Sequence, residues 1–550
     1  MSITTRLLHQ LSFQLTRRGQ QRFEQATHQP EATQRARFSA IMALISGSDS
    51  GYRYGLTQAT AAEEFRQRVP ITDYEDWHTL IKRQRSSAEL LLSTEPCERY
   101  QPTSGSTAHI KWIPYSPAFL HELDQAINPW IADLYARYPG IRTGRHYWSL
   151  SWVPTDLRSS AGSINDDLQL LPWWKRLFMH HTMAVPQAVS LAPTSELSMF
   201  ASLCYLCASR DLSLMSVWSP TFLLSLLDQL SLQRHAIAEV LERGHWGEHQ
   251  AALSHLSAPQ QPHNAELLRR WNGQLNHTIT QQLWPQLALI SAWDTSSSET
   301  WARQLQRLFA HSAFQGKGLW ATEGVVTIPY DGQYPLALDS HFYEFEDLES
   351  NQLLFSWELQ PGMRVRPILT SGNGLLRYRT NDQLLVDGFI HHCPTLRFIS
   401  RLSGTDMVGE KMAPETALTL FQELAVQLPL QPITLLAVPA GEGVQRPAYV
   451  LLATGDPALS GTTSEQLEAL LCNHFHYQLA RELGQLGNAR AIVCPDAMAV
   501  YTHLRLRSSA VAGNIKVEPL LLCPAAATWL TDSEPDRVKQ DMHCATEQTP

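Results

Sequence analysis

Cysteine is scarce in this chain. Eight residues are scattered over 550, which excludes a disulfide framework and fits a reducing compartment. No uninterrupted apolar run approaches the ~20 residues of a membrane helix. Charge is sparse at 17% and runs slightly acidic, with a net charge of −9. A whole-molecule basic surface for nucleic acid is therefore unsupported. Three catalytic signatures are missing as well. There is no GxxxxGK[ST] phosphate loop, no GxSxG nucleophile elbow and no HExxH zinc helix. Cys204 and Cys207 form a single CxxC, without the second ligand pair a zinc site needs, and read as buried helical thiols.

Apolar residues are plentiful. At 44% hydrophobic the chain has enough material to bury a large core, and disorder over most of its length is excluded. At ~150 residues per domain its length allows three or four domains' worth of structure. The opening segment carries Arg6, Arg17, Arg18 and Arg22 with no acidic residue before Glu24. Leu7, Leu8, Leu11 and Leu15 fall near one helical face. A transit peptide has this composition; an amphipathic helix docked through its leucines is the expectation here. Helical patterns dominate to about residue 95 and again from 116 to 310. Short strands are expected at Tyr147–Trp152, Leu214–Trp218, Val325–Ile328, Leu384–Val386 and Leu396–Ile399. After a turn at Ser403–Asp406 a compact α+β pattern follows. Its strands are expected at Ile433–Val438, Ala448–Thr454 and Ala491–Cys494, with one helix over Ser464–Leu483.

The segment richest in chemistry runs from Gln101 through Thr103, Ser104, Gly105, Ser106, Thr107 and Ala108 to Lys111. Small hydroxylated residues around a glycine expose several donors to one point, a cradle for phosphate. Read alone it is equally a plain loop. Three later segments add weight. They are Ala321-Thr322-Glu323-Gly324; Tyr378-Arg379-Thr380-Asn381-Asp382, with Gly388-Phe389 following; and Arg401 with Glu410-Lys411 just beyond. An aspartate after a strand suits two vicinal ribose hydroxyls.

In order and spacing these segments resemble the GH3 family of acyl-acid amido synthetases, within the adenylate-forming superfamily. Thr103–Thr107, Ile113-Pro114, Ala321–Gly324, Phe342–Phe345, Tyr378–Asp382, Pro394, Phe398, Arg401, Glu410-Lys411 and Gly513–Lys516 carry the likeness. It covers nearly the whole chain. Phe23-Glu24 already belongs to it, which argues against a cleaved presequence.

The resemblance implies an α/β fold. A large adenylating domain over 1–401, with mixed sheets and flanking helices, is followed by a small mobile α+β lid over 402–531 and a polar tail over 532–550. It implies two reaction steps. A carboxylic acid attacks the α-phosphate of ATP, giving an acyl-adenylate and pyrophosphate. An amine, in the family an amino acid, then displaces AMP. Thr103, Ser104, Gly105, Ser106 and Thr107 would hold phosphate with Thr322 and Gly324. Glu323 would be the carboxylate linked to Mg²⁺. Asp382 would hold the ribose, and Arg401 would stand at the hinge. Lys411 and Lys516 would each bring charge to the α-phosphate in one of two domain orientations. Tyr343 either walls the nucleotide site or belongs to the core. Trp148 and Trp218 are the first choices for an acyl pocket, since ligands gather at strand ends in open α/β sheets.

Two positions depart from the family pattern. Ala108 replaces a loop glycine. Asn381 replaces another, where asparagine tolerates left-handed backbone better than most residues. The expected ligands are ATP, Mg²⁺, a small carboxylic acid and an amine, without nucleic acid or membrane insertion, in the cytoplasm. Transfer to a thiol instead of an amine, or a binding protein that has lost catalysis, stays open at this point.

Overall fold

The computed structural model describes residues 3–87, 89–103, 111–149, 178–179, 181–295, 298–401, 404–405, 407–408, 410, 412–440, 446–482, 485–507 and 517–529; at Thr103 and Arg401 it describes the backbone only. The architecture is mixed α/β. It divides into two compact units, the first running to Ile399 and the second beginning at Ser400. No helix among the described residues is long and apolar enough to cross a membrane.

The first helix, Ile3–His28, docks on the first unit, but of the four leucines only Leu8 is even half-buried. Leu7, Leu11 and Leu15 are exposed, while Thr5, His9, Phe23 and Ala26 are buried. Residue 9 lies ~200° around a helix from residue 7, so the two belong to opposite faces. A polar residue can hold the inner face because its groups are satisfied. The two ring nitrogens of His9 meet Tyr135 Oη and the Gly144 carbonyl, each at 2.8 Å. The ring also stacks on His146 at 4.3 Å.

Behind this helix lies a parallel sheet. It is made of β3 (Arg145–Trp148), β4 (Leu212–Ser216), β5 (Leu289–Ala292) and β6 (Ala313–Gly316), adjacent in that order. β4 and β5 are buried along their whole length, as strands covered on both faces are. Helices Ser195–Ala208 and Pro220–Arg243 share their hydrophobic cluster. Each begins as its sequence dictates. Thr194 accepts from the Leu197 N–H, and Pro220 occupies the first turn, where its missing N–H costs nothing. Cys204 and Cys207 sit wholly buried on the first of them, and burial pushes both thiols up. The reading of that CxxC as core thiols holds.

Two hairpins flank the parallel sheet. β1 (Arg99–Thr103) pairs antiparallel with β2 (Lys111–Tyr115), and β7 (Trp320–Ala321) with β8 (Gly324–Val325). Between β2 and β3 comes helix Pro117–Arg137, capped by Ser116 accepting from the Phe119 N–H. The second large sheet orders β10 (Leu353–Phe355), β9 (Phe342–Asp347), β11 (Arg364–Thr370), β13 (Asp382–Ile390) and β14 (Cys393–Arg401), with β12 (Tyr378–Arg379) on β11. Of the expected strand over Val325–Ile328, only Val325 lies in a strand. Thr327 makes an isolated bridge to Leu336.

The second unit has its own core. β15 (Gln431–Val438) pairs antiparallel with β16 (Ala448–Thr454) and parallel with β18 (Leu520–Leu522). β16 pairs parallel with β17 (Arg490–Cys494). The single helix expected over Ser464–Leu483 is two, Ser460–Leu471 and Phe475–Glu482. Glu468 ties the pair together, accepting from Tyr477 Oη at 2.8 Å, Arg481 Nε at 2.6 Å and the Ala489 N–H at 2.6 Å.

Candidate active site

Thr322 and Glu323 form the turn of the β7–β8 hairpin, with Gly324 opening β8, and the segment is clamped from several sides. Tyr115 Oη donates to the Thr322 carbonyl at 3.2 Å. Tyr378 Oη donates to Glu323 Oε1 at 3.3 Å. Just past the turn, the Val325 N–H donates to His341 Nε2 at 3.1 Å. That nitrogen must be an acceptor, so the ring proton sits on Nδ1, which reaches Glu122 Oε2 at 2.8 Å. Glu122 and His341 are both buried, and the carboxylate also accepts from the Gly372 N–H at 2.9 Å. Gly324 is required by close approach. A Cβ there would stand 2.7 Å from Leu369 Cδ2 and 2.8 Å from His341 Nε2. The carboxylate of Glu323 is thus half-exposed on a turn whose backbone is fixed.

Tyr343 is corrected by the same geometry. It is fully buried, with its hydroxyl 2.6 Å from the Val325 carbonyl and 3.1 Å from that of Ala337. It walls no site; it supports β8 from below.

Tyr378 is itself held by an unusual neighbour. Arg377 has φ of 48°, a left-handed conformation that costs a bulky residue ~1–3 kcal/mol. Its guanidinium fixes it there. It meets the buried Glu344 at 3.0 Å and donates to the carbonyls of Arg66 at 3.0 Å and Val69 at 2.7 Å. Arg66 pairs with the same carboxylate at 2.7 Å. Asn381 does not adopt left-handed backbone, contrary to the expectation for that turn. Its amide oxygen accepts from Arg366, which also donates to the Thr380 carbonyl at 2.6 Å. Asp382 follows as the first residue of β13 and is buried.

A second cluster stands at the C-terminal edge of the parallel sheet. Trp148 ends β3 and Trp218 follows β4, so both predicted acyl residues belong to it. Trp148 meets Trp130 edge-on at 5.9 Å, Trp320 lies 5.7 Å from Trp130, and Trp218 lies 6.0 Å from Trp320. Trp130 comes from helix Pro117–Arg137 and donates its Nε1–H to Gln315 at 3.2 Å. Lys317, the residue after β6, runs into the centre of these rings. Sequence reasoning passed over Trp130 and Lys317. A tryptophan in a helix reads as core, and a lysine between two glycines reads as loop.

The structure brings Thr322, Glu323 and Tyr378 together, and separately Trp148 and Trp218. Ser104, Gly105, Ser106, Thr107, Ala108, Lys411 and Lys516 lie outside the described residues, as do the side chains of Thr103 and Arg401. Glu410, next to Lys411, is buried in the second unit. It accepts from the Met407 N–H at 2.9 Å, the Val408 N–H at 2.8 Å and Tyr449 Oη at 2.6 Å. Among the described residues the three-ligand cluster that could hold a metal is Glu24, His28 and His391, which does not include Glu323.

Residues 19–314 match the model of the GH3 family N-terminal domain, and residues 334–401 that of the GH3 family central domain. An indole-3-acetic acid-amido synthetase, GH3.8 of Oryza sativa subsp. indica, is 23% identical over 424 residues, 69% of this chain and 67% of that protein. A putative indole-3-acetic acid-amido synthetase, GH3.10 of Oryza sativa subsp. japonica, is 24% identical over 405 residues, 69% of this chain and 80% of its own. In fold, the chain is similar to the GH3.15 acyl acid amido synthetase solved with 2,4-DB. The TM-score is 0.76 at 16% identity, over 96% of both chains.

Proposed function

The chain belongs to the GH3 family, and from that premise we propose that it is an ATP-dependent ligase joining a small carboxylic acid to an amine, an amino acid. In the first step a carboxylate oxygen of the acid bonds to the α-phosphorus of ATP and the bond to pyrophosphate breaks. In the second the amine nitrogen attacks the acyl carbon, AMP leaves with the C–O bond electrons, and the amine loses a proton.

The observation that carries the reading is the anchoring of Glu323. A carboxylate on a turn fixed by Tyr115, His341 and Tyr343, and accepting from Tyr378, is held in one place, which suits a group that must meet metal-bound phosphate. Preorganised groups of this kind stabilise charge as it develops without moving during the reaction. Mg²⁺ is commonly held by one or two carboxylates plus substrate phosphates rather than by a protein cage. Glu323, outside any three-ligand cluster of the described residues, fits that pattern and would hold an ion that neutralises phosphate charge.

The remaining assignments follow the family motifs. Ser104, Gly105, Ser106 and Thr107, with Thr103, Thr322 and Gly324, cradle the phosphates. Asp382 takes the ribose hydroxyls. Arg401 orders the boundary between the units, and Lys411 and Lys516 supply positive charge to the α-phosphate in the two half-reactions. The acyl group lies against Trp148 and Trp218. The proposed domains are a large adenylating domain over 1–401, a lid over 402–531 and a tail over 532–550, in the cytoplasm.

Pyrophosphate release tests this with Mg-ATP, a panel of aromatic and aliphatic acids, and an amino-acid mixture. Release triggered by one acid and accelerated by amino acids, with an amide product by mass, is expected. Acceleration by coenzyme A alone would move the acceptor to a thiol. Absence of release with every acid, despite ATP binding, would sink the ligase reading. Glu323→Ala should abolish the release.

A further inference from the structure

At the C-terminal edge of the parallel sheet lies a buried lysine with no carboxylate partner among the described residues. β3, β4, β5 and β6 are in register so that Trp148, Ser216, Ser291 and Gln315 form one row across the sheet. Paired residues of a parallel sheet share a face, and Lys317, two beyond Gln315, continues that face. Lys317 is buried, and its Nζ donates to Ser216 Oγ at 2.6 Å. The rings of Trp130, Trp148 and Trp218 surround it with centroids 5.1, 5.7 and 5.1 Å from Nζ.

The cage has one hydroxyl and three aromatic faces, and among the described residues no carboxylate pairs with this ammonium. An ammonium has three donors, so one hydrogen bond leaves two unspent. Cation–π attraction recovers part of the lost hydration but not that of a whole charge. A second polar group is stranded beside it: Ser291 Oγ, in the same row, is buried without a hydrogen-bond partner. Trp148, Trp218 and Trp320 are only partly buried, so the cage opens to solvent on the side they line.

We propose that Lys317 is a specificity-determining residue at the floor of the acyl pocket, and that the acid this protein takes is a flat, ring-bearing acid with a second anionic oxygen at its far end. The tryptophans bound the ring, and Lys317, with the Ser291 hydroxyl beside it, meets the distal oxygen. The reacting carboxylate points the other way, toward the Thr322-Glu323 turn that follows Trp320 in the hairpin. The inference rests on the ligase reading for the purpose of the site, but not for its test.

Calorimetric titration of the full chain, with a non-hydrolysable ATP analogue present, separates the two. The probes are phenylacetate, 4-hydroxyphenylacetate and 4-(carboxymethyl)benzoate. The acid with the distal carboxylate is expected to bind about tenfold or more tightly than phenylacetate, with the phenol between or level with it. In Lys317→Met, which keeps length and apolar bulk, the ratio between the two acids should collapse toward one. Lys317→Gln serves if the methionine variant does not fold, and the wild-type ratio decides by itself if neither does. In pyrophosphate release the same preference should appear in KM rather than kcat.

Equal binding of all three acids by wild type overturns the proposal. So does loss of all three in parallel in the variant, which would put Lys317 on the common carboxylate. A ratio that survives the substitution also overturns it, as does failure of every acid to bind. If the ratio behaves as expected but no acid releases pyrophosphate, the pocket stands and the ligase reading falls.

Discussion

Glu323 and Tyr378 meet through one hydrogen bond on which the proposed chemistry depends. Removing the charge by Glu323→Gln keeps the shape of the turn. It is expected to cost about a hundredfold or more in pyrophosphate release, the scale of losing one preorganised electrostatic group. Tyr378→Phe removes only the donor to the carboxylate, and a fall of about tenfold is expected, one hydrogen bond to a charged group. Both are read from initial rates of pyrophosphate release at saturating ATP.

Lys317 gives a residue-scale prediction that involves no substrate. Burial lowers its pKa from the usual 10.5 to about 7. The groups against Nζ, namely Ser216 and the rings of Trp130, Trp148 and Trp218, do not titrate. Between pH 7 and 10.5 the unfolded chain therefore holds a proton that the folded chain has lost. The cost of burying the charge is full below pH 7 and is relieved as pH rises. Buried thiols pull the other way above ~pH 8.5, since burial raises Cys204, Cys207 and Cys393, so the comparison must be differential. Lys317→Met should be the more stable protein at pH 7, and its advantage in urea denaturation should shrink by up to ~1.4 kcal/mol per pH unit toward pH 9. A constant difference across that range would show that the folded lysine keeps its proton up to pH 9, and so that burial has not lowered its pKa.

At the scale of elements, the β7–β8 hairpin is held by a relay rather than by its own two strand pairs. Glu122 on helix Pro117–Arg137 orients His341, and His341 accepts from the backbone two residues past Glu323. Glu122→Ala would leave the His341 Nδ1–H and the Gly372 N–H buried without acceptors. The expected loss is ~3 kcal/mol of stability, at 1–3 kcal/mol for each stranded donor, measured by urea denaturation. Gly324→Ala should cost ~1–3 kcal/mol by overpacking against Leu369 and His341, and should depress pyrophosphate release because the displaced atoms are those that set Glu323.

This relay was not legible in the sequence. Glu122, His341 and Gly372 are far apart along the chain, and no periodicity links them. What was legible had local signatures. β16 falls on the expected Ala448–Thr454, and the cores of β13, β15 and β17 on their apolar runs. Glu323 stood out because a small, ordered motif surrounds it. Two elements were misread for physical reasons. The first helix buries a satisfied histidine in preference to its leucines. The helix after Ser460 breaks near Asn473 because Glu468 bonds across the break, a long-range tie invisible to helical periodicity.

For the molecule as a whole, the two units have separate hydrophobic cores, and among the described residues the buried histidines all lie in the first. His9 and His146 stack there. Burial, the largest cause for both, lowers His9 to about 4 and His146 to about 3 from the usual 6.5. A histidine whose pKa falls on folding contributes nothing to pH dependence above 6.5. Below that the unfolded chain takes up protons the folded chain refuses, so stability drains away until the folded pKa is reached. From pH 6.5 to 5 each ring should cost ~2 kcal/mol. Asp294 opposes this, because burial raises it to about 6 and acid relieves its cost. The histidine contribution is therefore read against His146→Asn, which should flatten the acid slope. Calorimetry of the full chain at pH 7.5 and pH 5 is expected to resolve two transitions. The first unit's transition should move down steeply with acid, and the second unit's should move less. Two transitions shifting together, or a slope unchanged in His146→Asn, would show that the stacked pair does not set the acid limit of the fold.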